Sequence, residues 1–344
     1  MPGLKSAAKA RALAPSWSVD LGEHIIGLAW QPGGEVLGAA LVGGEVALLE
    51  AKSGRRVRVV EAHAQGSFAV RWHPKGTEFA TVGQDGKARI WTLDGEAPRL
   101  VLEGGAPWVE QLAYSADGSL LATGAGRKLR LWDSQSGELL QDFADHPATI
   151  ADIAWHPLRN ELATGSYGGV WMWNAAQATP MKHFDWKGSV LKLAWSPDGK
   201  YIATGNQDAT VHFWILATGK DLHMWGYRSK IRELAWDPKS RYLATGGSAT
   251  VIVWDCSGKG PAGTKPQMLD FHANLLSALA FQSKGGYLAS GCLEGLVAVW
   301  QPAKSDQPLS TEHFGTAIAQ LVWSPDEKSL AIGTDAGKVA VLVP

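Results

Sequence analysis

Residues 193–214 read LAWSPDGKYIATGNQDATVHFW. Two short apolar runs flank Ser196-Pro197-Asp198-Gly199, and a third follows a second turn at Asn206-Gln207-Asp208-Ala209. Pro presets φ for the first corner of a turn, Asp bonds the backbone two residues on, and Gly accepts positive φ, so each cluster reverses the chain. Runs of about five β-branched, aromatic and small residues between such turns predict antiparallel strands. The pattern recurs. With Trp195 as the marker, equivalent aromatics stand at Trp30, Trp72, Tyr114, Trp155, Trp236, Phe281 and Trp323, 40 to 45 residues apart. Each is followed by turn formers such as QPGG (31–34), HPKG (73–76) or SADG (115–118), then by a small-residue run such as EFATVG (78–83) or YLATGG (242–247). A β-branched run ending in Trp comes next, as in KARIW (87–91) and LVAVW (296–300), and a more polar run closes most units.

Four short strands per unit, repeated at this period, predict the blades of a β-propeller. The chain resembles the WD40-repeat family over about residues 17–344, although the Trp-Asp pair itself stands only at Trp132-Asp133 and Trp254-Asp255. There are eight sets of the first three strands but seven internal copies of the fourth. The missing one is assigned to SWSVDL, Ser16 to Leu21, in a closure that resembles the family's and that removes two open sheet edges. The expected architecture is therefore all-β: one eight-bladed propeller over residues 16–344, preceded by a flexible tail over 1–15. A seven-bladed ring is the alternative, because the first unit lacks the Trp that ends the third strand.

Composition narrows the function. At 45% hydrophobic and 19% charged, with a net charge of -1, the 344 residues suit an ordinary globular fold and carry no global attraction for nucleic acid or an anionic membrane. Neither partner is expected. No apolar run reaches membrane-spanning length, the first residues lack the apolar core of a secretory signal, and two cysteines suit a reducing compartment. A cytoplasmic monomer is the expectation.

The family resemblance implies a structural network joining a His ahead of a blade, a Ser or Thr on the second strand, an Asp in the next turn and the Trp ending the third strand. His63, Thr81, Asp85 and Trp91 match it in full; His272, Ser290 and Trp300 match with Glu294 in place of Asp; Thr204, Asp208 and Trp214 lack the His. Such residues satisfy buried polar groups and fix loops. Six of the ten histidines lie ahead of blades, yet one per unit around a ring cannot converge on an ion, so no metal site is expected. Phosphate-loop and nucleophile-elbow spacings are absent, and neither a cofactor nor catalysis is expected.

Of 17 tryptophans, twelve fill the two repeated positions. Trp17 is assigned to the closing strand, and Trp171 and Trp225 to strand interiors. Trp108 and Trp186 fall in segments leading into blades, on the face that family members commonly use for partners, with Tyr167, Tyr227, Arg228, Asn274 and Phe314 nearby. Lys187, Arg228, Lys230 and Arg232 make one side basic. Exposed aromatics and Arg dominate many interfaces. A non-catalytic scaffold that binds an acidic protein or peptide through Trp108, Tyr167, Trp186, Lys187, Tyr227, Arg228, Arg232, Asn274 and Phe314 is therefore expected. A small-ligand site, metal site or enzyme in the central channel is the alternative. Gln111, Asp152, Lys192, Glu233 and Gln320, each three places before a marker, predict a polar lining there. The loop Asp255 to Met268, longer than its counterparts and rich in Gly, Pro and Lys, is placed on the opposite face.

Overall fold

The structure, a computed structural model, describes residues 13–258 and 260–344, so most of the expected tail lies outside the described residues. The first unit forms the regular four-stranded antiparallel sheet that its turns dictate: Ile25–Trp30, Val36–Leu41, Glu45–Glu50 and Arg56–Glu61 in that order. Its lack of a terminal Trp does not disturb it, because Leu49 fills the place, fully buried. The chain closes on itself as expected. Ala14–Asp20 pairs antiparallel with the last strand, Lys338–Val343, and completes the sheet that begins with Ile318–Trp323. The closing strand begins two residues earlier than Ser16, taking in Ala14 and Pro15.

The expected count of eight blades is corrected. The described strands are hydrogen-bonded into seven sheets, six of four strands and one of six, so by sheet the propeller counts seven blades, the fourth and fifth units sharing the six-stranded one while each keeps its own inner strand. The difference does not lie in the first unit but at the fourth and fifth, which share the six-stranded sheet. Two of its strands are 14 residues long, Glu161–Asn174 and Lys182–Trp195. Within Glu161–Asn174 the reversal at Tyr167-Gly168-Gly169 is tight enough to leave no gap in the pairing. Lys182–Trp195 pairs through its first half with Gly168–Met172 and through its second half with Tyr201–Asn206. Physically, the segment Asp185-Trp186-Lys187-Gly188 stays extended where units such as the second and fourth place a His-led turn, so one outer strand runs straight into the next inner strand.

Gly169 carries that reversal. Its φ is +118°, and an added Cβ would lie 2.0 Å from the Phe184 carbonyl oxygen, a backbone atom that cannot step aside. Gly169→Ala is expected to cost about 2 kcal/mol, from strain at positive φ together with this clash. Urea denaturation of the purified variant checks it, and an unchanged midpoint would contradict the assigned turn.

The core lies between neighbouring sheets. Alternate residues of each strand face the next blade, so Ala40, Val46 and Leu48 of the first unit pack on Val70, Trp72, Phe79 and Trp91 of the second. Six of the eight markers add a hydrogen bond around the ring. The indole N–H of Trp72 donates to the Ala29 carbonyl at 2.9 Å, Trp155 to Ala113 at 3.0 Å, Trp195 to Ala154 at 3.0 Å and Trp236 to Ala194 at 3.1 Å. Trp323 donates to Ala280 at 2.9 Å, and Trp30 closes the circle on Val322 at 3.1 Å. Phe281 has no N–H to give, and the buried hydroxyl of Tyr114 finds no partner among the described residues. The repeated Trp is therefore a staple between units as well as an apolar body.

Candidate partner-binding face

In each unit the turn between the second and third strands lies at the same end as the segment leading into the next unit. Backbone bonds tie the two together: Ala62 N–H to the Gly44 carbonyl at 3.1 Å, Gly104 to Gly86 at 2.8 Å, Phe314 to Gly295 at 2.9 Å. Beneath this face, His63 Nδ1 lies 2.8 Å from Asp85 Oδ1, its Nε2 lies 2.9 Å from Thr81 Oγ1, and the Trp91 indole donates to the same hydroxyl at 3.0 Å. In the seventh unit His272 Nε2 lies 2.7 Å from Ser290 Oγ, and Trp300 donates to that oxygen at 2.8 Å. The expected place of Glu294 is corrected: its longer side chain is exposed and bonds no histidine, and His272 Nδ1 has no partner among the described residues. A fourth-unit network, not assigned from sequence, joins His146, Thr164 and Trp173 with bonds of 3.0 and 2.8 Å. Burial pushes the imidazoles of His146 and His272 down to about 4, with His183 and Arg127 adding to the effect at His146. Neutral rings suit this place, since burial penalises the charged form.

One spacing governs these contacts. His63–Thr81, His146–Thr164 and His272–Ser290 are each 18 residues apart. Tyr227 and Thr245 share that spacing: the two hydroxyls lie 2.9 Å apart, and the Trp254 indole donates to the Tyr227 oxygen at 2.9 Å. Burial pushes the Tyr227 phenol up to about 12. Its expected outward role is corrected, because it takes the place of the network histidine. Trp186 stands 18 residues before Thr204 and also turns inward, its ring 4.0 Å from that of His212 and its indole N–H buried without a partner among the described residues. The trio of Thr204, Asp208 and Trp214 is corrected with it. Neither the Thr204 hydroxyl nor the Trp214 indole has a partner among the described residues, and Asp208 instead accepts from Thr210 Oγ1 at 2.7 Å. Phe314 is half-buried against the core that holds Ile318, Ile332 and Leu330.

What remains outward is Trp108, Tyr167, Lys187, Arg228, Arg232 and Asn274. Trp108 is 54% and Tyr167 55% exposed. The structure adds Trp225, expected inside a strand. Its strand ends at Met224, and the indole is 74% exposed, the largest value among the exposed large apolar residues described. Its ring lies 5.7 Å from His223, which stacks on His212 at 4.6 Å, so the segment is anchored from beneath. Beside it Arg228, Lys230 and Arg232 are exposed, as is Lys187, and none of the four makes an ion pair among the described residues. An apolar ring next to unpaired cations is suited to a surface that is both greasy and acidic.

Similarity to known proteins agrees with the geometry. The family model "WD domain, G-beta repeat" matches residues 97–133, 137–174, 178–214, 219–255 and 263–301, more than half of the chain. The chain belongs to the WD40 family. A second model, the WD40 domain of anaphase-promoting complex subunit 4, matches residues 15–75 of this WD40 protein. The WD repeat-containing protein srw1 of Schizosaccharomyces pombe is 29% identical over 177 residues, 48% of this chain and 31% of srw1. The intraflagellar transport protein 80 homolog of Mus musculus is 27% identical over 168 residues, 46% of this chain and 20% of that protein. The B-type cell cycle switch protein ccs52B of Medicago truncatula is 31% identical over 163 residues, 44% and 33% of the two chains. The WD40 chain thus matches a third or less of the length of each of these relatives. Among solved structures, the computationally designed Ika8 protein superposes with a TM-score of 0.82 at 21% identity, covering 94% of this chain and 98% of that one, a likeness of fold alone.

Proposed function

We propose that this WD40 propeller is a non-catalytic scaffold whose loop face binds an acidic segment of a partner protein. The observation that carries the reading is Trp225, largely exposed beside Arg228, Lys230 and Arg232. Holding so much indole in water forgoes the roughly 2 to 3 kcal/mol that covering it would release, a reserve that a partner's apolar side chain can draw on. The cations give orientation and a faster encounter, and their effect falls with salt. Membership in a family whose model spans several repeats, and similarity to proteins named for cell-cycle and intraflagellar transport roles, support a part in assembly. We also place the protein in the cytoplasm as a single chain; its two cysteines are free and buried, and burial pushes the Cys256 thiol up to about 12, which fits a structural thiol.

Affinity purification with the full chain as bait tests the proposal. The double variant Trp225→Ala, Arg228→Glu is expected to lose recovery of its specific partners about tenfold or more, because it removes an anchor and reverses a charge. Both side chains are exposed, so the variant should melt with the wild type. Undiminished partner recovery would overturn the assignment of this face.

A further inference from the structure

The inner strands of the units wall a central channel, and one residue breaks their pattern. The residue just before each marker is Ala in six units and Val322 in the eighth, but Arg71 in the second. Its guanidinium makes one hydrogen bond, from Nη1 to the carbonyl of adjacent Val70 at 2.9 Å, and no ion pair among the described residues. The side chain is exposed to the channel, yet the protein around it excludes enough water to hold its pKa below the ordinary arginine value, and Asp152 is the charge that opposes this. Asp152 is already engaged: its carboxylate lies 3.1 Å from Lys192 Nζ and accepts from the Leu193 N–H at 2.8 Å. Asp152 is thus taken up by Lys192 and the Leu193 N–H, and Arg71 has no carboxylate of its own among the described residues.

Arg71 lies on the wall of a cavity of about 590 Å³ at the channel mouth, on the end opposite the partner face. Trp30, Phe281, Leu321 and Trp323 supply apolar walls. The cavity's one carboxylate, Glu327, is turned to Ser283, accepting from its backbone N–H at 2.9 Å and its hydroxyl at 2.6 Å. The volume lies within the range of small-molecule sites, and a guanidinium presents the planar pair of donors that oxyanions accept. A small or β-branched apolar side chain serves the other seven units, so Arg71 brings a cation with no ion-pair partner among the described residues and no packing that the fold needs. We propose that Arg71 anchors a channel-mouth site for a small organic oxyanion, a carboxylate or phosphate carried on an apolar body.

Calorimetric titration of the full chain with benzoate and, separately, with phenyl phosphate tests the site and distinguishes the two anions. At least one is expected to bind the wild type in the millimolar range or tighter, and Arg71→Ala is expected to weaken it about tenfold or more, with Arg71→Lys intermediate because a point charge replaces the fork. The melting temperature of Arg71→Ala should equal or exceed that of the wild type, since the other units fold with a small residue there. The proposal fails if neither anion binds at about 10 mM, or if Arg71→Ala binds as the wild type does. A marked fall in the melting temperature of Arg71→Ala would equally overturn it, by showing that the fold needs the arginine.

Discussion

Replacing Trp173 with Ala is expected to lower the free energy of unfolding by about 4 kcal/mol, in the range found when large aromatics are removed from cores. Trp173 is 2% exposed and among the largest fully buried side chains. Its ring lies 5.1 Å from Phe143 and 5.0 Å from His146, and its indole donates to Thr164 Oγ1 at 2.8 Å. Truncation therefore removes a large apolar surface, leaves a cavity between two sheets that cannot collapse onto it, and takes one bond from a shared hydroxyl. Trp173→Phe keeps most of the packing and loses the N–H, so about 1 to 2 kcal/mol is expected. Urea denaturation followed by tryptophan fluorescence separates the two variants. Equal losses for Ala and Phe would mean that the hydrogen bond, not the filled space, holds this junction.

Acid should unfold the propeller earlier than its carboxylates alone would. His146 and His272 are neutral in the fold, with pKa values pushed to about 4, against 6.5 in an unfolded chain. A depressed imidazole binds its proton more readily once unfolded, so stability falls as pH drops from about 6.5 towards 4 and levels below that. The shift is worth on the order of 3 kcal/mol per histidine across that window, as an upper bound. His63 titrates in the same direction, burial outweighing the help of Asp85. Unfolding free energies measured at pH 7.5, 5.5 and 4.5 should fall steadily, and His146→Gln with His272→Gln should flatten the slope while lowering stability at pH 7.5. A wild-type profile flat between pH 7 and 5 would contradict the buried neutral rings.

The repeat was legible because a strand unit has a fixed period and its turns have fixed chemistry; the marker spacing places the inner strands, and the missing fourth strand together with the family resemblance places the closing one. The blade count was not. A gap between strands depends on whether a linker turns, and nothing in the composition of Asp185-Trp186-Lys187-Gly188 reveals that it stays extended. The site was legible in part. The 18-residue interval from a Ser or Thr back to its network partner was present in the sequence, and it marks His146, Trp186 and Tyr227 as inward-facing, including two residues expected to meet a partner. The interval is not confined to histidine, since a Tyr hydroxyl serves the same bond. Trp225 was missed for a different reason: an outer strand that ends one residue sooner changes a buried residue into an exposed one, and strand ends are poorly fixed by pattern.

The most direct test of the central claim is a hydrogen-exchange footprint of the full chain with a captured partner. Protection over Trp108, Tyr167, Lys187 and the Trp225–Arg232 segment is the expected result, with the turns at the opposite end unchanged. Protection confined to that opposite end, around Leu158 and Lys200, would contradict the claim that the loop face receives the partner.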